Sequence, residues 1–286
     1  MTDNLRGALF MVLAMAAFAL EDMALKAAAR DIPIGQAVLM FGVAGTLVFA
    51  GLAKAQGAPV FHPAFLGKVL IIRSGFEISG RLFYALAIAL TPLSSASAIL
   101  QATPLVVALG AVFVFGEQVG WRRWMAIFAG FVGVLMILQP GLDSFDPLSI
   151  FAVLGMIGFA GRDLATRASP VSMSSAQLGV AGFIVLTMAG GTLLAFSGGF
   201  TAPSAASLAF VALATIVGVF AYSALTRAMR TGEVSVVTPF RYSRLLFALV
   251  LGIAVFGERP DQWTLIGGMV IVSSGLFLLA RSRPAA

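Results

Sequence analysis

The sequence predicts an all-α membrane protein, with ten transmembrane helices set as two inverted five-helix repeats around a central cavity. Three observations carry this. The 286 residues are 60% hydrophobic and only 10% charged, with a mean hydropathy of +1.02, whereas a soluble domain carries about 25% charged residues. Apolar stretches close to the ~20 residues that a helix needs to cross hydrocarbon follow one another along the whole chain. Finally, "FALEDMALKA" at 18–27 returns as "FAGRDLATRA" at 159–168.

The first stretch, 7–27, follows Arg6 and could be taken for a cleaved leader. Glu21 and Asp22 stand where a cleavage region would be, so it reads as a retained helix. "RDIP" separates it from 34–53, and "QGAPVFHP" leads to 68–90, where Arg73, Glu77 and Arg81 stack at i, i+4 and i+8 on one face. "TPLSS" opens 94–115, with Ser97 and Gln101 on one face and Pro104 inside the span. Stretch 121–138 closes the first half. "QPGLDSFDP" precedes 147–168, and 175–196 is followed by "SGGFTAPS" and by 206–230, which has a polar edge of Tyr222 and Thr226. "RTGE" leads into 234–256, carrying Pro239, Arg241, Tyr242 and Arg244, and "GERPD" into 263–281. Every break holds the Gly, Pro, Ser or Asp that turns require, and no soluble domain has room between them.

Charge orients the bundle. With the N-terminus inside, the inner side carries Arg6, Lys54, Lys68, Arg122, Arg123, Arg167, Arg227, Arg230, Arg281 and Arg283, against Lys26, Arg30 and Arg259 outside. This bias predicts a multi-pass protein of the cytoplasmic (inner) membrane with both termini cytoplasmic. It also accounts for the formal +6 charge without nucleic acid as a partner; the partners to expect are the lipid bilayer and a small molecule. Zero cysteines exclude disulfides and thiolate chemistry, and the lone His62 reads as a solvated loop residue.

A shift of 141 positions places Phe18 on Phe159, Asp22 on Asp163 and Lys26 on Arg167, and the same shift places "FVFGE" (113–117) on "AVFGE" (254–258). The chain therefore divides into residues 1–143 and 144–286. Five spans per half is an odd number, so the second half enters the membrane in the opposite sense, the inverted repeat found in secondary transporters.

Charged residues inside spans cost at least ~2.5–3.5 kcal/mol each and so face a cavity or one another. Arg73, Arg162 and Arg167 lie near the inner interface, where long side chains snorkel. Asp22 with Lys26 and Asp163 with Arg167 can pair at i, i+4. Glu77, Arg81, Arg241 and Arg244 lie deeper and are candidates to line the cavity, with Tyr84, Gln101, Tyr222 and Tyr242 completing a polar site. Pro104 and Pro239 interrupt the fourth helix of each half and read as hinges.

Two five-helix halves, short loops and a Gly-Glu pair ending the fourth helix of each half (Gly116-Glu117, Gly257-Glu258) resemble the drug/metabolite transporter superfamily, specifically its EamA-type ten-helix members. The proline thirteen residues before the glutamate is present as Pro104 in the first half; the second half has Leu245 there. The resemblance implies a secondary carrier with a central cavity, and in this branch export of amino acids and related carboxylate-bearing metabolites. Import of a vitamin or nucleotide-like compound is the alternative, and a channel or membrane-embedded enzyme fits less well. No metal-site, nucleophile–base or phosphate-loop motif points to an enzyme, and no cofactor or metal is expected. Substrate binding would fall to Glu77, Arg81, Tyr84, Gln101, Tyr222, Arg241, Tyr242 and Arg244, and proton or ion coupling to Glu21 and Asp22. The oligomeric state is left as monomer or homodimer.

Overall fold

A computed structural model describes residues 2–90, 99–139, 147–196, 199–256 and 261–281, and among these every regular element is helical. Helix α1 spans Asp3–Ala28. Its N-cap Thr2 accepts the Leu5 amide, with Asp3 in the first turn and Lys26 in the last, as the helix dipole favours. Helix α2 is Ile34–Ala55. A 3-10 turn, Pro63–Leu66, is capped by His62, whose Nδ1 accepts the Ala64 amide at 3.0 Å. Then come α3 (Lys68–Leu90), α4 (Thr103–Phe115) and α5 (Trp121–Leu138).

The second half holds α6 (Ile150–Arg167), α7 (Ser175–Phe196) and α8 (Ala205–Arg230), the last capped by Ser204. One helical turn, Val234–Val237, and a 3-10 stretch, Thr238–Tyr242, lead into α9 (Ser243–Phe256), and α10 is Gln262–Arg281. The prolines expected to be hinges sit at starts: Pro104 in the first turn of α4 and Pro239 in the first turn of the 3-10 stretch. Proline is tolerated there because the first-turn amides have no intrahelical acceptor.

Eight described stretches are long and apolar enough to cross a membrane: those of α1, α2, α5, α6, α7, α8 and α10, and Val234–Leu251 running into α9. The ten-span count therefore rests on the other two. Helix α4 is apolar but only 13 residues long. Helix α3 has 23 residues and carries Lys68, Arg73, Glu77 and Arg81.

Packing follows the repeat. Helix α1 lies against α8 and α3 against α6, two contacts that exchange when α1–α5 are mapped onto α6–α10; α2–α7 and α5–α10 map onto themselves. Small residues set these contacts, since helices in lipid associate by close van der Waals packing. A Cβ on Gly158 of α6 would lie 2.5 Å from the Gly80 backbone of α3, and one on Gly133 of α5 would lie 2.8 Å from the Gly267 carbonyl of α10. Between α2 and α7 the rings of Phe41 and Phe49 meet Phe183 at 5.1 and 5.2 Å.

Candidate functional site

Where α3, α6, α8 and the 3-10 stretch converge, the bundle interior is ionic. Glu77, fully buried on α3, anchors three arginines: Arg73 at 3.4 Å, Arg81 at 3.3 Å and Arg162 at 3.6 Å. Tyr222 of α8 closes this group, its hydroxyl bonded to Arg73 and lying 3.5 Å from Glu77 Oε2. Arg73 Nε also donates to Thr166 Oγ1 at 3.0 Å. One turn of α6 adds the second anchor, Asp163, which takes Arg162 at 2.8 Å and the guanidinium of Arg241. Four arginines thus share two carboxylates. Three of their N–H groups, on Arg73 Nη1, Arg81 Nε and Arg241 Nε, are buried without an acceptor.

Exposure rises along this chain of charges. Arg73 is 1% exposed and Asp163 1%, Arg81 is 27% exposed, and the Arg244–Asp22 pair reaches 36% and 55%. At the buried end, a closed space of about 10 Å³ is lined by Arg73, Arg162, Asp163, Thr166, Tyr222 and Thr226 among others, room for about one water molecule.

The end of the bundle that carries the N-terminus is tied shut below it. Gly116 ends α4 in the left-handed conformation (φ 66°). Glu117 then accepts the otherwise unpaired amides of Val234 and Ser235 at 2.8 and 3.0 Å. Beside it, Glu233 pairs with Arg123 and donates its amide to Asn4 Oδ1 at 2.8 Å. These bonds tie the described elements together at the N-terminal end, and side-chain exposure rises away from it.

The structure brings together Glu77, Arg81, Tyr222 and Arg241, with Arg244 beside them on Asp22. Tyr84 packs edge-on against Phe159 and approaches Gly155. Gln101 lies in the turn before α4, outside the ionic network. Tyr242 is fully buried among Val134, Ile271 and their neighbours, its hydroxyl 3.5 Å from the Ile127 carbonyl, because the 3-10 stretch turns it toward α5 and α10. Ser97, Gly257 and Glu258 lie outside the described residues.

Several pairings differ from those the spacing suggests. Asp22 takes Arg244 and not Lys26, and Asp163 takes Arg162 and Arg241 and not Arg167. Arg73 and Arg162 do not snorkel; both are buried and paired. A helix-surface pair at i, i+4 stabilises by only ~0.2–0.5 kcal/mol, little enough for an arginine of another element, Arg244 at Asp22 and Arg241 at Asp163, to replace it.

A helical membrane bundle with repeated halves and a charged interior defines a class, the polytopic small-solute transporters. The chain belongs to the EamA-like transporter family, whose sequence profile matches it twice, over residues 5–139 and 148–280. Among its relatives are the S-adenosylmethionine uptake transporter of Rickettsia prowazekii, 26% identical over 74% of this chain and 71% of the relative. The riboflavin transporter of Rhizobium johnstonii is 28% identical over 96% and 90%, and the pseudopaline exporter of Pseudomonas aeruginosa 27% identical over 93% of each chain. A protein crystal structure with 18% identity superposes at a TM-score of 0.81, covering 98% of this chain and 99% of its own, a likeness of fold.

Proposed function

We propose that the protein is a secondary carrier of a small carboxylate-bearing organic solute, in the first reading an amino acid or related metabolite leaving the cell. One observation carries this: four interior arginines face two carboxylates, and three buried guanidinium N–H groups lack an acceptor. Unpaired charge in a membrane interior is costly unless something binds it, and a carboxylate supplies both the missing charge and the missing acceptors. Residues 1–143 and 144–286 act as the two inverted halves, in the inner membrane with both termini cytoplasmic. The sequence holds no ATP-binding motif, so transport runs on a solute or ion gradient, and the lack of a metal-site or nucleophile–base motif supports a carrier over an enzyme. Of the two carboxylates proposed for ion coupling, Asp22 is engaged by Arg244 and Glu21 is not.

Import of a nucleoside-bearing or vitamin-like solute is the second reading, supported by the uptake relatives. S-adenosylmethionine joins both readings, since it carries an amino-acid carboxylate and a nucleoside. Counterflow in proteoliposomes tests them with labelled amino acids, S-adenosylmethionine and riboflavin. Saturable exchange of a carboxylate-bearing solute is expected. Exchange of riboflavin with no carboxylate-bearing solute accepted would overturn the proposal, as would fast, unsaturable conductance.

A further inference from the structure

Four carboxylates stand in the charged interior, and three have cations. Asp22 holds Arg244, Glu77 holds three arginines, and Asp163 holds two. Glu21, next to Asp22 on α1, has neither an ion pair nor a hydrogen bond among the described residues, and its Oε2 is wholly buried. Its neighbours leave it so. Gly218 of α8 makes room for the carboxylate, since a Cβ there would lie 2.9 Å from Glu21 Oε2, and Phe41 of α2 fills the adjoining space. Neither brings a charge. The charged groups near it are Asp22 on its own helix, Arg244 of α9 and Arg81 of α3, and both arginines are already committed to other carboxylates.

The interior thus holds two opposite poles, surplus guanidinium N–H groups on Arg81 and Arg241 and one carboxylate without a partner at Glu21, all of them buried in this conformation. A simple carboxylate entering here would satisfy the first pole and leave its negative charge facing Glu21 unrelieved, and like charges in a poorly hydrated site repel strongly. A solute with a cation beside its carboxylate satisfies both. We propose that Glu21 is the subsite for a positively charged group of the solute, an ammonium or sulfonium, so that the carrier selects zwitterions of amino-acid type over simple carboxylates. This rests on the carboxylate reading of the central arginines and adds the second pole to it.

The test uses the full-length protein in proteoliposomes and matched probes: L-amino acids, each paired with the carboxylic acid that lacks only the amine, such as L-methionine with 4-methylthiobutanoate and L-phenylalanine with 3-phenylpropanoate. Half-saturation is read by competition against the best amino-acid substrate. The transported amino acid should bind at least tenfold more tightly than its amine-free partner. Glu21→Gln should remove that gap, weakening the amino acid and leaving the amine-free acid bound at least as tightly as before, since the like charge facing it is gone. Glu21→Asp keeps the charge but withdraws it by one methylene, and should narrow the gap; it serves also if the Gln variant fails to fold. Equal half-saturation for both members of each pair in the unmodified protein overturns the Glu21 subsite and leaves the carboxylate reading standing. Acceptance of neither member, with neutral solutes carried instead, overturns both. A Glu21→Gln variant that keeps the tenfold gap but loses the pH dependence of flux makes Glu21 a proton site, and also overturns the proposal.

Discussion

Gln36 and Gln177 stand 141 positions apart and tie opposite ends of the bundle in the same way. Each is buried in the first turn of a helix and donates its Nε2 to a loop carbonyl, Gln36 to Thr201 at 2.7 Å and Gln177 to Pro59 at 2.8 Å. Those carbonyls belong to the α7–α8 and α2–α3 connections, which are themselves counterparts in the repeat. The two halves therefore grip each other by one device used twice.

Replacing either glutamine by leucine removes its hydrogen bond to a loop carbonyl, a net loss of ~0.5–1.5 kcal/mol. Gln36→Leu and Gln177→Leu should each lower the melting temperature in detergent, and their effects should add, because the sites lie at opposite ends. A melting curve unchanged in either variant would show that the loop carbonyl finds another donor.

Much of this was legible in the sequence, and what was missed has a physical pattern. The offset of 141 exposed the repeat because Asp22/Asp163 and the two Gly-Glu pairs survive in recognisable company. The glutamine pair obeys the same offset but sits in unlike surroundings, "PIGQAV" and "SSAQLG". Depth in the membrane could be read by counting residues; the direction in which a side chain points around its helix could not. Hence Arg73 and Arg162, near a helix end, look like snorkelling residues, whereas the α3–α6 interface buries both. Hence also Tyr242 looks like a neighbour of Arg241 but faces α5 and α10. Glu117 was visible as a motif, and only the structure reveals the amides it receives.

Glu77→Gln should be among the most damaging conservative changes. It removes the anion shared by Arg73, Arg81 and Arg162, and breaking a buried ion pair by deleting one partner costs ~3–5 kcal/mol. Adding Arg73→Met to the Gln variant should recover part of the loss in melting temperature. No recovery would mean that Arg73 is held mainly by Tyr222 and Thr166.

Glu117→Ala should loosen the closed end. It deletes two charge-assisted hydrogen bonds to the Val234 and Ser235 amides, each worth about 1.5–3 kcal/mol. A cysteine introduced at Thr226, which lines the small closed space, should resist a thiol reagent applied from the N-terminal side in the otherwise unmodified chain and react in the Ala variant. The chain has no cysteine of its own, so the background is zero. Equal protection in both proteins would remove Glu117 from the seal.

A pH dependence is expected at the opposite end. In the loop after α1, Asp31 Oδ2 accepts the hydroxyls of Ser204 and Ser207, each at 2.9 Å, and these bonds hold its carboxyl below the ordinary aspartate range. A carboxyl depressed on folding stabilises the fold above the unfolded value of ~3.9, and that stability is lost as pH falls through the folded value. Melting temperature should therefore drop on acidification below about pH 4, and Asp31→Asn should flatten this part of the curve. An identical acid limb in the Asn variant would assign it to other carboxyls.

Arg244 offers the sharpest separation of binding from architecture. It reaches Asp22 Oδ2 through Nε at 3.1 Å and through Nη2, lies over the Phe18 ring at 5.3 Å, and stays 36% exposed. A guanidinium so placed can keep Asp22 and still offer Nη1 to a solute carboxylate, whereas a lysine ammonium is a point charge that must divide itself between them. Arg244→Lys should then lower saturable flux per folded molecule by about tenfold, equivalent to ~1.4 kcal/mol, with melting temperature nearly unchanged, and Arg244→Leu should lower it further. If Arg244 serves only to join α9 to α1, the Lys variant transports normally and adding Asp22→Asn rescues the Leu variant. Rescue of flux in that double variant would take Arg244 out of the binding site.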